Sequence, residues 1–252
     1  MDFTKMEGLG NDFVVIDGPR EVSAGEVAAL CDRRHGVGAD GVLIVSPLAS
    51  DTVRMEYFNA DGSPAEMCGN GLRCVARRAV DRGLVEGRDF LVETAVGQRR
   101  VSVFDDGRIR VELGPVEAAP ENQEVDGYTV RTVSVGNPHA VLFVDDPAAA
   151  EVESIGSRLE GHQAFPDGTN VEFVSVEAVN GIVMRVWERG VGETLACGTG
   201  AAAVVAACAA TGRTPSSASV RLPGGMLDVE IIDGVAWITG PANTVFSGFW
   251  PG

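Results

Sequence analysis

Apolar and polar positions alternate along most of this chain in short runs broken by Gly- and Asp-rich turns. Runs at residues 12–17, 42–45, 53–58, 90–93, 99–104 and 108–113 read as strands. So do runs at 129–135, 140–144, 171–176, 182–187, 226–232 and 235–239. An alternation such as Val229-Glu230-Ile231 suits a half-buried strand. Four helices punctuate them. The capping box Ser23-x-x-Glu26 starts the first, which ends near Arg34. The second follows Cys68 and stops at Gly83. The third starts at Asp146-Pro147, a cap residue followed by proline. The fourth follows Cys197 and stops at Gly212. Residues 201–210 carry no charge on any face. A helix apolar all round belongs inside a protein, so strands should surround this one. The helix after Cys68 carries Arg73, Arg77, Arg78 and Arg82 and is expected to keep one face in water.

The same pattern occurs twice. Met67-Cys68-Gly69-Asn70-Gly71 and Ala196-Cys197-Gly198-Thr199-Gly200 each lead into a helix, 129 residues apart (197 minus 68). At that offset Met55 falls on Met184, Phe58 on Trp187, Asn59 on Glu188 and Val75 on Val204. At an offset of 126, Gly10-Asn11 matches Gly136-Asn137. The order strand, polar corner, Cys-Gly-x-Gly, helix predicts two similar domains with a cleft between them. Residues 115–127, rich in Pro, Glu and Ala, read as the link. The expected domains are residues 1–114 and 115–244, with 245–252 a candidate to return to the first.

Composition narrows the chemistry. The 252 residues are 45% hydrophobic, enough for a real core. A net charge of -16 disfavours nucleic acid and anionic membrane as partners. It does not disfavour a small zwitterion held in a local patch. Lys5 is the one lysine, which argues against Schiff-base or phosphate-loop chemistry. No apolar stretch reaches the ~18 residues of a membrane span, and no secretion signal opens the chain. Five cysteines without a Cys-x-x-Cys pair suggest free thiols in the cytoplasm and make a zinc site unexpected.

Cys68 and Cys197 stand out among those five. A helix N-terminus favours a thiolate, and flanking glycines let the backbone approach a ligand. A lone cysteine in such a place is more often structural, but the repeat reverses that weighting. Cys31, Cys74 and Cys208 read as small core residues. Asn11, Asn59, Asn137 and Asn170 end apolar strands beside turns, where asparagine often serves only its own backbone. Glu188 and Arg189 can hold an ammonium and a carboxylate. His139 is a candidate for tuning a thiolate.

Together, Leu9-Gly10-Asn11-Asp12-Phe13, Asn59-Ala60-Asp61-Gly62-Ser63, Cys68-Gly69-Asn70-Gly71, Gly136-Asn137-Pro138-His139, Glu188-Arg189-Gly190 and Ala196-Cys197-Gly198-Thr199-Gly200 resemble diaminopimelate epimerase. The resemblance runs from Phe3 to the C-terminus. It implies an α+β fold of two pseudo-symmetric domains, each a curled, mostly antiparallel or mixed sheet around a central helix, with the active site in the cleft. It implies cofactor-independent interconversion of LL- and meso-2,6-diaminopimelate for lysine and peptidoglycan precursors, in a cytoplasmic homodimer. Cys68 and Cys197 would be the acid–base pair, and His139 and Glu188 would adjust their protonation. Gly69, Asn70, Gly198 and Thr199 would bind the carboxylate at the reacting carbon. Asn11, Asn59, Asn137, Asn170, Glu188 and Arg189 would hold the rest of the small amino-acid substrate. No metal or cofactor enters. Gly41 stands where some members carry glutamine. Two alternatives are a proline or hydroxyproline racemase of the same superfamily, and a non-catalytic amino-acid-binding module.

Overall fold

A computed structural model describes residues 1–251. The chain divides into two compact units, Met1–Val111 with the C-terminal stretch from Gly240, and Glu112–Thr239. Each is a mixed α+β body dominated by its sheet, as the resemblance implied.

In the first unit, strand Asp2–Gly8 lies antiparallel between Asn11–Asp17 and Asn243–Phe249. Asn11–Asp17 then pairs parallel with Gly41–Ala49, which pairs antiparallel with Thr52–Asn59. Asp89–Thr94 joins parallel, and Gly97–Val103 closes the run antiparallel. The second unit repeats this order. Pro138–Phe143 pairs parallel with Asn170–Ala178, then antiparallel with Gly181–Glu188. Ser217–Leu222 joins parallel and Gly225–Ile232 antiparallel. Gly41 and Asn170, and Thr52 and Gly181, open equivalent strands 129 residues apart. Sparse identity therefore concealed a repeat of strand order.

Helix α1 covers Ala24–Cys31, and both bonds of the capping box between Ser23 and Glu26 form. It stops earlier than the sequence suggested. Asp32 folds back to accept the N–H groups of Arg34 and His35, so those residues form a turn. Helix α2 covers Gly69–Asp81 and α4 covers Gly198–Ala210, 13 residues each, with Cys68 and Cys197 at their N-caps. Gly83 and Gly212 follow in the left-handed conformation expected after a helix end. The helix placed at Asp146-Pro147 is instead two elements. Asp146 caps a single 3-10 turn, Pro147–Ala149, and α3 starts separately at Val152–Glu160.

Strands surround both N-capped helices. In the second unit α4 packs on six strands, and Ala201 to Ala207 are all buried, as a charge-free helix requires. In the first unit α2 packs on five. One expectation for α2 fails. Arg73 is not on a wetted face but fully buried, whereas Arg77 and Arg82 do reach solvent. The interior accepts the Arg73 charge because its guanidinium donates to Pro241 O at 3.0 Å, Gly69 O at 3.3 Å and Asn70 Oδ1 at 2.8 Å. Residues 117–118 and 123–125, within the supposed link, form short strands against Tyr128–Ser134. Strands Asp2–Gly8, Ser217–Leu222 and Asn243–Phe249 also went unpredicted.

Candidate active site

In the first unit the parallel pairing of Asn11–Asp17 with Gly41–Ala49 sets Asn11 beside Asp40. Asn11 Nδ2 donates to Asp40 Oδ2 at 2.7 Å. That leaves Oδ1 as the atom facing helix α2, where it accepts from Cys68 Sγ at 3.4 Å and from Asn70 Nδ2 at 3.3 Å. Behind Asp40 stands a charged cluster. Arg33 bridges Asp12 and Asp40 at 2.7 Å each, and buried Lys5 reaches Asp12 at 2.7 Å and the carbonyl of Gly38. Burial opposes ionisation of Asp12, but the bonds from Arg33 and Lys5 prevail and bring its carboxyl down to about 2. Asp12 is therefore held as a carboxylate, and Arg33 ties Asp40, and with it Asn11, to that anchor. Asn70 is held from its other side by Arg73.

Asn59 sits apart from this set. Its amide donates to Ser63 Oγ at 3.1 Å, and its backbone N–H to Ser63 O at 2.9 Å, so it closes its own turn. Gly41 pairs with Asn59. A Cβ at Gly41 would lie 2.5 Å from Phe58 O and 2.7 Å from Tyr57 Cε2. This strand accepts no side chain there without moving, which gives a physical reason for glycine.

The second unit gathers more of the expected residues. Cys197 Sγ accepts the Gly200 N–H at 3.4 Å and lies 3.5 Å from Thr199 Oγ1. Burial pushes its thiol well above the usual 9.0, Glu188 and Glu172 push it further, and the Thr199 and Gly200 bonds only partly offset them. Glu188 accepts from Thr194 Oγ1 and bonds Cys197. Burial raises its carboxyl above 4.5 in spite of those bonds. Asn137 donates from Nδ2 to Thr199 Oγ1 at 3.3 Å and meets His139 Nε2 through Oδ1 at 3.0 Å. The other ring nitrogen of His139 is 2.6 Å from Glu172 Oε1, with both side chains fully buried.

Asn170 and Arg189 form a second group in this unit. Asn170 Nδ2 donates to Pro138 O at 2.9 Å, and its Oδ1 accepts the Arg189 N–H at 2.9 Å. Arg189 turns its guanidinium to Asp167 O at 2.8 Å, beside a cavity of about 470 Å³ lined by Glu160, His162 and Gly168 among others. Cys31 and Cys208 lie in the core, where burial raises their thiols to about 11 and about 12, and Cys74 is raised further still. This agrees with their reading as inert packing residues.

Sequence reasoning missed Asp40, Arg73, Thr194 and Glu172. Glu172 left one usable signal, a charged residue inside the apolar run Val171-Glu172-Phe173-Val174. Arg73 left none, because it shares α2 with two other arginines, Arg77 and Arg78.

Chemically, each unit presents the same device: a cysteine on the first turn of a helix, with backbone N–H groups that have no carbonyl to meet inside the helix. That end can receive a carboxylate while the sulfur handles a proton. The surroundings differ. Cys68 is half-buried and faces an amide oxygen, whereas Cys197 is buried among carboxyl groups.

Comparison with known proteins agrees with this geometry. A family model described as "Diaminopimelate epimerase" matches residues 3–119 and 131–245. The chain is 46% identical over 275 residues to the diaminopimelate epimerase of Desulforudis audaxviator, covering 99% of both chains. It is 47% identical over 270 residues to that of Alkalilimnicola ehrlichii, covering 98% of this chain and 97% of the relative. Among solved structures, a hydroxyproline epimerase from Agrobacterium vitis superposes with a TM-score of 0.74 at 16% identity, over 98% of this chain and 91% of that one. At that identity the likeness is one of fold. With the two cysteine-capped helices, the repeated strand order and near-complete coverage of its relatives, this chain belongs to the diaminopimelate epimerase family.

Proposed function

We propose that this protein interconverts LL- and meso-2,6-diaminopimelate without a cofactor, Cys68 and Cys197 exchanging protons with the same α-carbon. The observation that carries the reading is the paired placement of these cysteines at the N-caps of two 13-residue helices, inside a chain 46% identical to a curated epimerase.

The two thiols divide the work by environment. Cys197 is buried near Glu188 and Glu172, so it keeps its proton and starts as the acid. Cys68 acts as the base once its thiol has given up the proton it donates to Asn11 Oδ1, and turnover exchanges the two roles. The carbanion has no conjugated sink. Its charge spreads onto the substrate carboxylate, which the N–H groups of Gly69, Asn70, Gly198 and Thr199 receive at the helix ends. Glu188 lies against Cys197 and His139 is linked to it through Asn137 and Thr199, so both adjust its proton. Asn11, Asn59, Asn137, Asn170 and Arg189 bind the remaining polar groups of the substrate. Analogues without a second amino-acid head would forgo those bonds and turn over more poorly.

The decisive assay is exchange in heavy water. LL-diaminopimelate should gain deuterium at one α-carbon, and Cys68→Ala or Cys197→Ala should abolish the gain. Deuterium entering proline instead would favour a racemase, and entry into neither would leave only binding.

We also read the protein as a cytoplasmic homodimer. Five free thiols suit a reducing compartment. No helix among the described residues is long and apolar enough to cross a membrane. Strand Asn243–Phe249 leaves Val245, Phe246 and Phe249 47–69% exposed, an apolar surface suited to a second copy. Light scattering at twice the 26.3 kDa chain mass would agree.

A further inference from the structure

Glu172 is the largest unexplained expense of the second unit. A fully buried carboxyl group costs several kcal/mol unless it is well paired, and an apolar side chain of the same volume would often be as stable or more so. Here one oxygen is paired and the other is not. Oε1 meets His139 Nδ1 at 2.6 Å, while Oε2 is buried without a hydrogen-bond partner among the described residues. An ionised carboxylate would leave a charged oxygen unanswered, so a proton held between Oε1 and Nδ1 suits the arrangement better than a separated ion pair.

Strand register brings the pair together. Pro138–Phe143 and Asn170–Ala178 run parallel with His139 opposite Asn170, which puts Glu172 two positions on, on the same face. Gly200 makes room for the carboxyl. A Cβ at that position would lie 2.9 Å from Glu172 Oε1, so the group sits directly against the first turn of α4.

From Glu172 the contacts run in one direction. With Asn137 Nδ2 donating to Thr199, Asn137 Oδ1 is left to accept from His139 Nε2. Nε2 must then carry a hydrogen, and Nδ1 has only the proton it shares with Glu172. Thr199 Oγ1 accepts from Asn137 on one lone pair and has its O–H left to donate to Cys197 Sγ at 3.5 Å. The chain Glu172–His139–Asn137–Thr199–Cys197 is polarised from its buried end.

We propose that Glu172 is a positioning residue of this site: by sharing one proton with His139 Nδ1 it keeps Nε2 protonated and aimed at Asn137, and so fixes the chain of donors that ends on the Cys197 sulfur. The role of that sulfur rests on the epimerase reading above, but the state of the histidine does not. Glu172 touches no reacting atom and acts through its neighbours. His139 is accordingly a locked donor and not a base that takes protons from a cysteine.

The test uses the full chain labelled with 15N-histidine, with Glu172→Met and Glu172→Gln. The three histidine signals separate by loss of the His139 signals in His139→Asn. In the wild type, His139 Nε2 should appear as a protonated ring nitrogen and Nδ1 as one sharing its proton. Glu172→Met fills the volume without a hydrogen bond. It should fold, show His139 as a mixture of tautomers, and lower kcat by on the order of tenfold to a hundredfold with KM within about twofold. Glu172→Gln can donate an N–H to Nδ1, so it should keep the Nε2–H form and recover most of kcat. A bare Nε2 in the wild type overturns the proposal. So does an unchanged tautomer with unchanged kcat in Glu172→Met, or loss of the Nε2–H form in Glu172→Gln, the last applying even if the Met variant fails to fold. If the wild type shows the expected ring state but exchanges no deuterium into diaminopimelate, the functional reading falls and the Glu172–His139 assignment stands.

Discussion

Asn11 turns its carbonyl oxygen to Cys68, 3.4 Å from Sγ, because its amide nitrogen is engaged by Asp40 at 2.7 Å. The orientation of one amide thus depends on a carboxylate that sequence reading passed over. Asp40→Ala frees the amide to rotate and present N–H to the sulfur. About one charged hydrogen bond is lost, so kcat/KM should fall roughly tenfold. Steady-state kinetics on diaminopimelate would check this, and an unchanged kcat/KM would show that Asp40 does not orient Asn11.

The contrast between the cysteines should be visible to an alkylating reagent. Cys68 is half-buried, whereas Cys197 is buried with a thiol pushed up by desolvation and two nearby carboxyl groups. Under limited iodoacetamide at neutral pH, peptide mass spectrometry should find Cys68 modified first and Cys31, Cys74 and Cys208 untouched. Cys197 reacting faster than Cys68 would contradict the assignment of the resting acid.

Arg73 is expected to matter more for folding than for chemistry. Arg73→Met leaves Pro241 O, Gly69 O and Asn70 Oδ1 without its donors inside the core. Losing buried bonds of this kind costs about 2–4 kcal/mol in total. Urea unfolding should show a lower midpoint at an unchanged slope. Arg73→Lys should be nearly as damaging, because an ammonium cannot reproduce the planar fork. A midpoint equal to the wild type would refute the buried-donor role.

Glu188 gives a pH dependence with a definite sign. Burial raises its folded carboxyl above the ordinary 4.5, so the native state holds that proton more tightly than the unfolded chain does. The stabilisation from protonation is complete below pH 4.5 and is lost as pH rises through the folded value. At neutral pH the ionised group is a net cost. Glu188→Gln should therefore melt higher than the wild type near neutrality, with the two curves converging below pH 4.5, while its epimerisation rate falls. Melting curves that stay apart in acid would remove the explanation.

Repeated motifs made the two helices and their cysteine caps legible in the sequence, because an N-cap followed by glycines and an unbroken apolar run has few other solutions. Alternation exposed most strands. Asp2–Gly8 escaped because its interior residues Phe3, Thr4, Lys5 and Met6 are all buried, which hides the period of two. Asn243–Phe249 escaped for the opposite reason, being exposed along most of its length. The 3-10 turn at Asp146 was misread because a capped proline announces either helix type. The partners of the site residues, Asp40 for Asn11 and Glu172 for His139, depend on which strands lie side by side. Parallel pairing across about 30 residues leaves no local signature. The turn that Asn59 closes with Ser63 did leave a local signature, the run Asn59-Ala60-Asp61-Gly62-Ser63.

The Cys197 sulfur that accepts the Gly200 N–H also fastens the first turn of α4, the helix on which the second unit is wound. On the proposed mechanism, catalysis and architecture share a single atom. A covalent inhibitor that reached it would loosen the scaffold as well as block turnover. Evolution, for its part, could not retune that thiol without also renegotiating how the helix begins.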